Sequence, residues 1–318
     1  MQWIVGLIVV GLVGQLWGGC GCGCQVCDCD RIERHCVEGC CPCQWPEGVS
    51  WTRYCWGDWL PEDPPLWRQF VADPRQLTYS AGWRFNDDAL AKDTIPVSFG
   101  DYFALYRWHG VWPYCGSMEI GVEGAVWAVF APLRESSPLI DADYYIGFPL
   151  VYAFDNWQFR LRGYHISTHL GDEFLLDHPG FDRRNPSAEY LDFFSSYYFG
   201  DQIRLYAGLG YIVHQDISFR SKRFFQALGM EVRALGYGYY DSKQRLLGHP
   251  YFGAHIRGSR DYKHHIDQTY VLGYEWVKLC GLERATRVFI EYHDGYSVDG
   301  QFCDEAANWF AVRLSYGF

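Results

Sequence analysis

The chain has 318 residues, a formal net charge of −11 and a pI near 5.4, which argues against a nucleic-acid partner, since that would want a basic face. Hydrophobic residues make up 49% and aromatic residues 19%, yet mean hydropathy is only −0.19, so the apolar residues are dispersed. Beyond Trp17 no apolar run approaches the roughly 18–20 residues of a membrane helix, which excludes a helical membrane protein but not a membrane β-barrel.

Met1 to Trp17 carries no charged side chain and is rich in Ile, Val and Leu, so residues 1–19 read as a signal peptide even without the usual early Lys or Arg. Gly18 and Gly19 then lead into Cys20 in the manner of a lipoprotein processing site, with Trp17 where a Leu-like residue is usual. Residues 20–75 form a Cys- and Pro-rich N-terminal extension. Cys20, Cys22, Cys24, Cys27, Cys29, Cys36, Cys40, Cys41, Cys43 and Cys55 fall within it, and Pro61, Pro64, Pro65 and Pro74 block regular structure. In an exported chain this density favours disulfides, within the chain or to other envelope proteins. The Cys-x-Cys steps and the Cys40–Cys41 doublet give no two well-spaced pairs for zinc.

From residue 76 to 318 the pattern becomes stretches of about ten residues with period-two alternation, separated by Gly, Asp, Asn and Pro. This predicts an all-β fold, an antiparallel transmembrane β-barrel of about 12 strands. The expected strands are 77–85, 95–108, 119–131, 141–154, 157–171, 189–199, 202–214, 224–239, 251–259, 268–280, 287–294 and 308–318. Asp155–Asn156 and Gly200–Asp201 are tight turns after even-numbered strands, whereas Gly171 to Ala188 is a long polar loop after an odd-numbered one. Short periplasmic turns and long external loops alternate in this way in outer-membrane barrels.

The fifth expected strand carries the densest chemistry. His165 and Ser167 are two apart and emerge on one face, where an imidazole can act as general base for a serine nucleophile in acyl transfer. Trp157, Phe159 and Leu161 share their parity while Arg160 and Arg162 oppose it, so the pair faces lipid near the outer leaflet. A polar pair is costly there unless it acts there. Asn185 is the first candidate for the residue that orients the imidazole, with Asp172 and Asp177 as alternatives. His169, Asp172 and Glu173 are a candidate calcium set at the loop entrance.

Further along, Ile203, Leu205, Ala207, Leu209, Tyr211 and Val213 alternate with Arg204 and other polar residues. Arg160, Arg162, Arg204, Glu231, Arg233, Glu275, Arg287, Glu291 and Arg313 are expected to form a salt-bridged lumen, whose mixed signs favour a filled interior over a selective pore. His264–His265 marks a hydrated turn. The last strand sets Phe310, Val312, Leu314, Tyr316 and Phe318 on one face, and a terminal Phe after such alternation resembles the signal read by the outer-membrane assembly machinery.

The strand count, the His165-x-Ser167 pair and its outward parity resemble the outer-membrane phospholipase A barrel. That enzyme has twelve strands and a His-x-Ser pair on its outer wall with an Asn nearby; the lipid A deacylase barrel has a similar pair. The resemblance implies an acyl hydrolase in contact with membrane lipid. It departs after the serine, where Thr168–His169 stands in place of Asn. The run Gly163 to Leu175 also resembles a family of uncharacterised proteins of environmental chlamydiae and related bacteria, which implies the barrel but no activity; the cysteine-rich head would suit such an envelope. The competing expectation is a structural or transport barrel held to the outer membrane and its envelope through its cysteines.

Overall fold

A computed structural model describes residues 57–318 apart from 133–134, 220, 241, 243–245, 260–265 and 278–283. The signal peptide, the lipidation signal, the cysteine cluster and His264–His265 lie outside the described residues. The strands are β1 (Gly57–Trp59), β2 (Tyr79–Asp87), β3 (Ala91–Val111), β4 (Gly116–Phe130), β5 (Leu139–Phe154), β6 (Trp157–Leu170), β7 (Ala188–Phe199), β8 (Ile203–Gln215), β9 (Phe224–Arg233), β10 (Tyr239–Tyr240), β11 (Leu246–Ser259), β12 (Asp267–Val277), β13 (Ala285–Tyr296) and β14 (Ala306–Gly317). Twelve of them, all but β1 and β10, pair antiparallel in a closed ring. Closure comes from β14 on β2, with Tyr316 opposite Tyr79 and Phe310 opposite Phe85.

Most strands fall within a few residues of their expected spans. The segment expected as one strand over 224–239 instead stops at Arg233, makes a turn of 3₁₀ helix at Leu235–Tyr237 and resumes as β10. The tight turns follow the sequence: Asp155 (φ 46°) and Gly200 (φ 60°) supply the left-handed backbone that reverses the chain in so few residues. Both turns lie at the barrel end that also holds the starts of β2 and the end of β14. The long connection of residues 171–187 lies at the opposite mouth, the outer one by the barrel rule.

The wall inverts a soluble protein. Phe99, Phe103, Ile146, Phe148, Leu209, Leu272, Ile290, Phe310, Val312 and Leu314 are exposed on the outside, while Arg204, Glu119, Glu123, Glu231, Glu291 and Asp192 are buried within. A closed ring leaves no unpaired strand edge, so such a wall can stand in hydrocarbon. No helix among the described residues is long and apolar enough to cross a membrane. The protein is a membrane-spanning barrel of the outer-membrane type.

The expected inward charges are paired. Glu231 lies 3.5 Å from Arg204 and 3.3 Å from Arg233, Arg162 is 2.5 Å from Asp192, and Arg313 is 3.2 Å from Glu291. What fills the remaining lumen is part of the segment that composition marks as a Cys- and Pro-rich N-terminal extension, with the first residues after it. Residues 61–77 thread through the barrel. Trp67 and Phe70 are buried with Val151, Phe194, Tyr206 and Ala227, and Phe70 stacks on Tyr206 at 3.6 Å. The guanidinium groups of Arg160 and Arg204 lie 4.7 and 5.0 Å from the centre of the Trp67 ring, so cations and aromatic faces neutralise each other's cost of burial. The backbone of this plug uses the lumen's own carboxylates: Leu66 N–H donates to Glu119 (3.2 Å) and Val71 N–H to Glu231 (3.0 Å). Gly253 makes the room, because a Cβ there would sit 2.7 Å from a Val71 methyl.

The outer mouth is covered as well. The loop after β6 contains a short helix, α1 (Asp172–Asp177), and is less polar in effect than its sequence suggests. Its Phe174, with Phe181, packs edge-on or tilted against Phe302 of the β13–β14 loop at 5.8 and 5.5 Å. Gly300 N–H donates to Asp143, and Arg84 bridges Asp87 and Asp299 at 2.8 Å each, which pins that loop inside the rim.

Candidate active site

Strand β6 alternates as its sequence requires: Arg160 and Thr168 are buried in the lumen, while Trp157, Leu161 and His169 are exposed on the outside. His165 and Ser167 therefore stand on the lipid-facing wall. They are two residues apart on one face, about 6.6 Å along the strand. Their outward neighbours across β5 are Ile146 and Tyr144, and those beyond Glu189 on β7 are Leu191 and Phe193.

The imidazole of His165 has a carboxylate partner, though not one of those expected. In the β6–β7 register His165 stands opposite Glu189, and its Nδ1 lies 3.1 Å from Glu189 Oε1. The next strand repeats the contact: His214 faces Glu189 across β7–β8, with Nδ1 2.7 Å from Oε2. A polar row, His165–Glu189–His214, thus crosses three adjacent strands on the outside of the barrel. A carboxylate accepts only, so each Nδ1 must carry the hydrogen. In the neutral imidazole Nε2 is then the acceptor, and Ser167 stands two residues on along the same face. Ser167 makes no hydrogen bond among the described residues.

The candidates from sequence reach different places. Asn185 is not brought to His165. Its side-chain amide donates to Asp216 at 3.1 Å and its backbone N–H to Ser218 Oγ at 3.2 Å, joining the β6–β7 and β8–β9 loops instead. Asp172 and Asp177 sit at the two ends of α1. The calcium set is not assembled either: Glu173 accepts from Ser136 Oγ at 3.2 Å, and His169 lies edge-on to Tyr144 at 5.5 Å. Strand parity turns His169 toward lipid while α1 carries Asp172 and Glu173 away in its first turn. Among the described residues no group of three or more His, Cys, Asp or Glu side chains converges on a point where a metal ion could sit. The described residues around α1 do not fit a metal site.

Glu189 escaped the sequence reading because the long β6–β7 connection leaves the register between the two strands unset. The available signal is its parity. An acid that shares a face with Leu191 and Phe193 points a charge at lipid, which calls for a partner.

The chain matches the family described as protein of unknown function DUF1207 over residues 56–318. It belongs to the DUF1207 family. No curated protein matches it by sequence. Among solved structures the DUF1207 barrel is similar to outer membrane phospholipase A from Escherichia coli, with a TM-score of 0.50 and 14% identity over 78% of this chain and 92% of that one. The Salmonella typhi outer membrane phospholipase dimer with bound calcium gives 0.49 and 12%, over 75% and 89% of the two chains. LpxR from Salmonella typhimurium gives 0.37 and 7%, over 76% and 100%. At these identities the likeness is one of fold.

Proposed function

We propose that the DUF1207 barrel hydrolyses acyl esters of a membrane lipid at the outer leaflet, with Ser167 as nucleophile, His165 as general base and Glu189 as the group that orients and steadies it. The single observation that carries this reading is the 3.1 Å contact from His165 Nδ1 to Glu189, on the lipid-facing wall that also presents Ser167. A carboxylate on Nδ1 fixes the tautomer whose Nε2 can take a proton, and it stabilises the imidazolium once that proton arrives. The similarity of fold to outer membrane phospholipase A, a phospholipase by name, supports the reading.

In this mechanism Ser167 Oγ attacks the ester carbonyl as its proton passes to His165 Nε2. The tetrahedral adduct collapses, the C–O bond to the headgroup side breaks, and the departing oxygen takes the proton from His165. Water, deprotonated by the same imidazole, then cleaves the acyl-serine and releases a fatty acid. The substrate reaches the wall sideways from the bilayer, so no passage through the barrel is needed. A transport barrel, by contrast, would need an open lumen, and residues 61–77 occupy it.

The test is fatty-acid release from lipid micelles by the refolded barrel beside a Ser167→Ala control. Loss of the nucleophile is expected to lower kcat by about 10⁶, as in other serine hydrolases. A folded wild-type barrel that releases no more fatty acid than Ser167→Ala, from both glycerophospholipid and lipid A, would overturn the proposal.

A further inference from the structure

Directly above the row of outward side chains on β6 the outer mouth holds a cleft of about 430 Å³, lined by Thr168 and His169, by Arg183, Arg184 and Asn185 of the β6–β7 loop, and by Ser218 of the β8–β9 loop. The walls of this cleft are fixed before any ligand arrives. Asp216 accepts from Ser218 Oγ (2.6 Å), from Ser218 N–H (2.8 Å) and from the Asn185 amide (3.1 Å), and its own N–H donates to Ser187 O (3.0 Å). Gln301 of the mouth loop donates to Arg184 O at 2.9 Å. The lobes on either side of the cleft are therefore cross-linked by hydrogen bonds through side chains that line it.

The two arginines differ. Arg184 is committed: its Nη2 lies 2.9 Å from Asp304 and its guanidinium 5.0 Å from the Phe219 ring centre. Arg183 is exposed, and no carboxylate pairs with it among the described residues. Asp216, which holds the lining residues Asn185 and Ser218, already has both oxygens occupied by three donors. In the same outer-mouth loops Leu176 of α1 and Ile217, next in sequence to the lining residue Ser218, are about four-fifths exposed (80% and 78%), apolar side chains of the kind that enter a membrane interface.

We propose that this cleft seats a phosphate-bearing lipid headgroup, with Arg183 as the group that selects for the phosphate. The inference rests on the hydrolase reading only for its purpose, and it stands or falls by separate measurements. An acyl chain lying along Tyr144, Ile146 and Leu191 with its ester at Ser167 has its polar end on the His169 side, at the cleft. A guanidinium with free donors favours a phosphate over a neutral hydroxyl because it can form paired charge-assisted hydrogen bonds in a fixed plane. The substrate is then a lipid whose scissile ester lies within one headgroup's length of a phosphate. Glycerophospholipids and acylated phosphosugars both meet that description.

The experiment uses the full-length Ser167→Ala barrel in maltoside micelles, with lipid adducts counted by native mass spectrometry against dilauroylphosphatidylglycerol, hexa-acyl lipid A and dilauroylglycerol. One or both phosphate lipids are expected to bind about ten-fold more tightly than the phosphate-free diacylglycerol, the scale of one charge-assisted hydrogen bond. Arg183→Gln is expected to erase that preference, Arg183→Lys to restore part of it, and Arg223→Gln, on the neighbouring loop, to leave it unchanged. Preference for phosphatidylglycerol alone assigns a glycerophospholipid, and preference for lipid A alone assigns a phosphorylated glycolipid; either supports the proposal. Equal binding of all three lipids, or a preference that survives Arg183→Gln or falls equally with Arg223→Gln, overturns it. Arg183-dependent binding by a wild-type barrel that releases no fatty acid would overturn the hydrolase reading and leave the headgroup site standing.

Discussion

On the lumen side of the barrel wall, buried charges meet partners within the fold: Glu231 takes Arg204, Arg233 and a backbone N–H of the plug, and Glu119 takes Tyr102, Arg107 and another plug N–H. On the lipid side, the row His165–Glu189–His214 is partly exposed and its neighbour Ser167 makes no hydrogen bond among the described residues. Both sets are polar groups in places that disfavour them. In the inner set each carboxylate is held by several partners, although single guanidinium nitrogens such as Arg204 Nη2 and Arg160 Nε have no hydrogen-bond partner among the described residues, and the content of the set is structural. The outer set satisfies Nδ1 of His165 and sets Ser167 two residues on along the same face, an exposed arrangement that adds little to stability and that the proposed hydrolase would use.

This contrast predicts that substitutions on the two faces separate activity from stability. The largest expected effect is on the outside. Glu189→Gln keeps the shape of the row but removes the charge that steadies the imidazolium, and kcat for fatty-acid release should fall by about 10⁴, with the urea midpoint of the refolded barrel unchanged. A fall in midpoint matching the fall in rate would place Glu189 with the structural set. On the inside, Glu231→Gln strands Arg204 and Arg233 without their shared charge. Breaking a buried pair costs about 3–5 kcal/mol, which urea unfolding in micelles would register, while kcat of the molecules still folded stays near wild type. Trp67→Ala should cost a similar or somewhat smaller amount, about 3–5 kcal/mol at most, because it empties the space between Arg160, Arg204 and Val151. If the plug is a dispensable extension, that variant unfolds at the wild-type midpoint.

The two regions also differed in how far the sequence disclosed them. Period-two alternation in segments such as Ile203–Val213 and Phe310–Tyr316 determines which side chains face lipid, so strands, parity and the outward position of His165 and Ser167 were legible. So was the pairing of the inward charges, because a closed lumen leaves mixed charges little else to do. The plug was hidden because Pro61, Pro64, Pro65 and Pro74 erase any periodicity, and its contacts are remote: Val71 meets Glu231 160 positions away. Glu189 was hidden for a related reason. A two-residue turn such as Asp155–Asn156 sets the register between its strands, but the connection over 171–187 does not, so the partner of His165 could only be found with the strands aligned. Asn185 looked apt on residue type and was drawn instead into the loop clamp around Asp216.

The smallest predicted effect tests whether the mouth belongs with the structural set. Asp299 anchors the β13–β14 loop through Arg84, with Arg75 nearby. Burial pushes its carboxyl upward, but the attraction of Arg84 and Arg75 and the hydrogen bonds from Arg84 and Ser297 outweigh that and hold it below its ordinary value of 3.8. A carboxyl depressed in the folded state contributes its stabilisation above the unfolded value and loses it as pH falls through the folded one. Amide exchange of residues 297–305, corrected for the intrinsic rate, should therefore stay slow from pH 7 to about pH 4 and quicken only below that range. Asp299→Asn removes the charge at every pH, so its loop should exchange about ten-fold faster already at neutral pH, the worth of one charge-assisted hydrogen bond, with no further change on acidification from this group. Exchange that quickens at the same low pH in both proteins would detach the mouth from the Asp299–Arg84 pair and give its closure to the aromatic packing of Phe174, Phe181 and Phe302 alone.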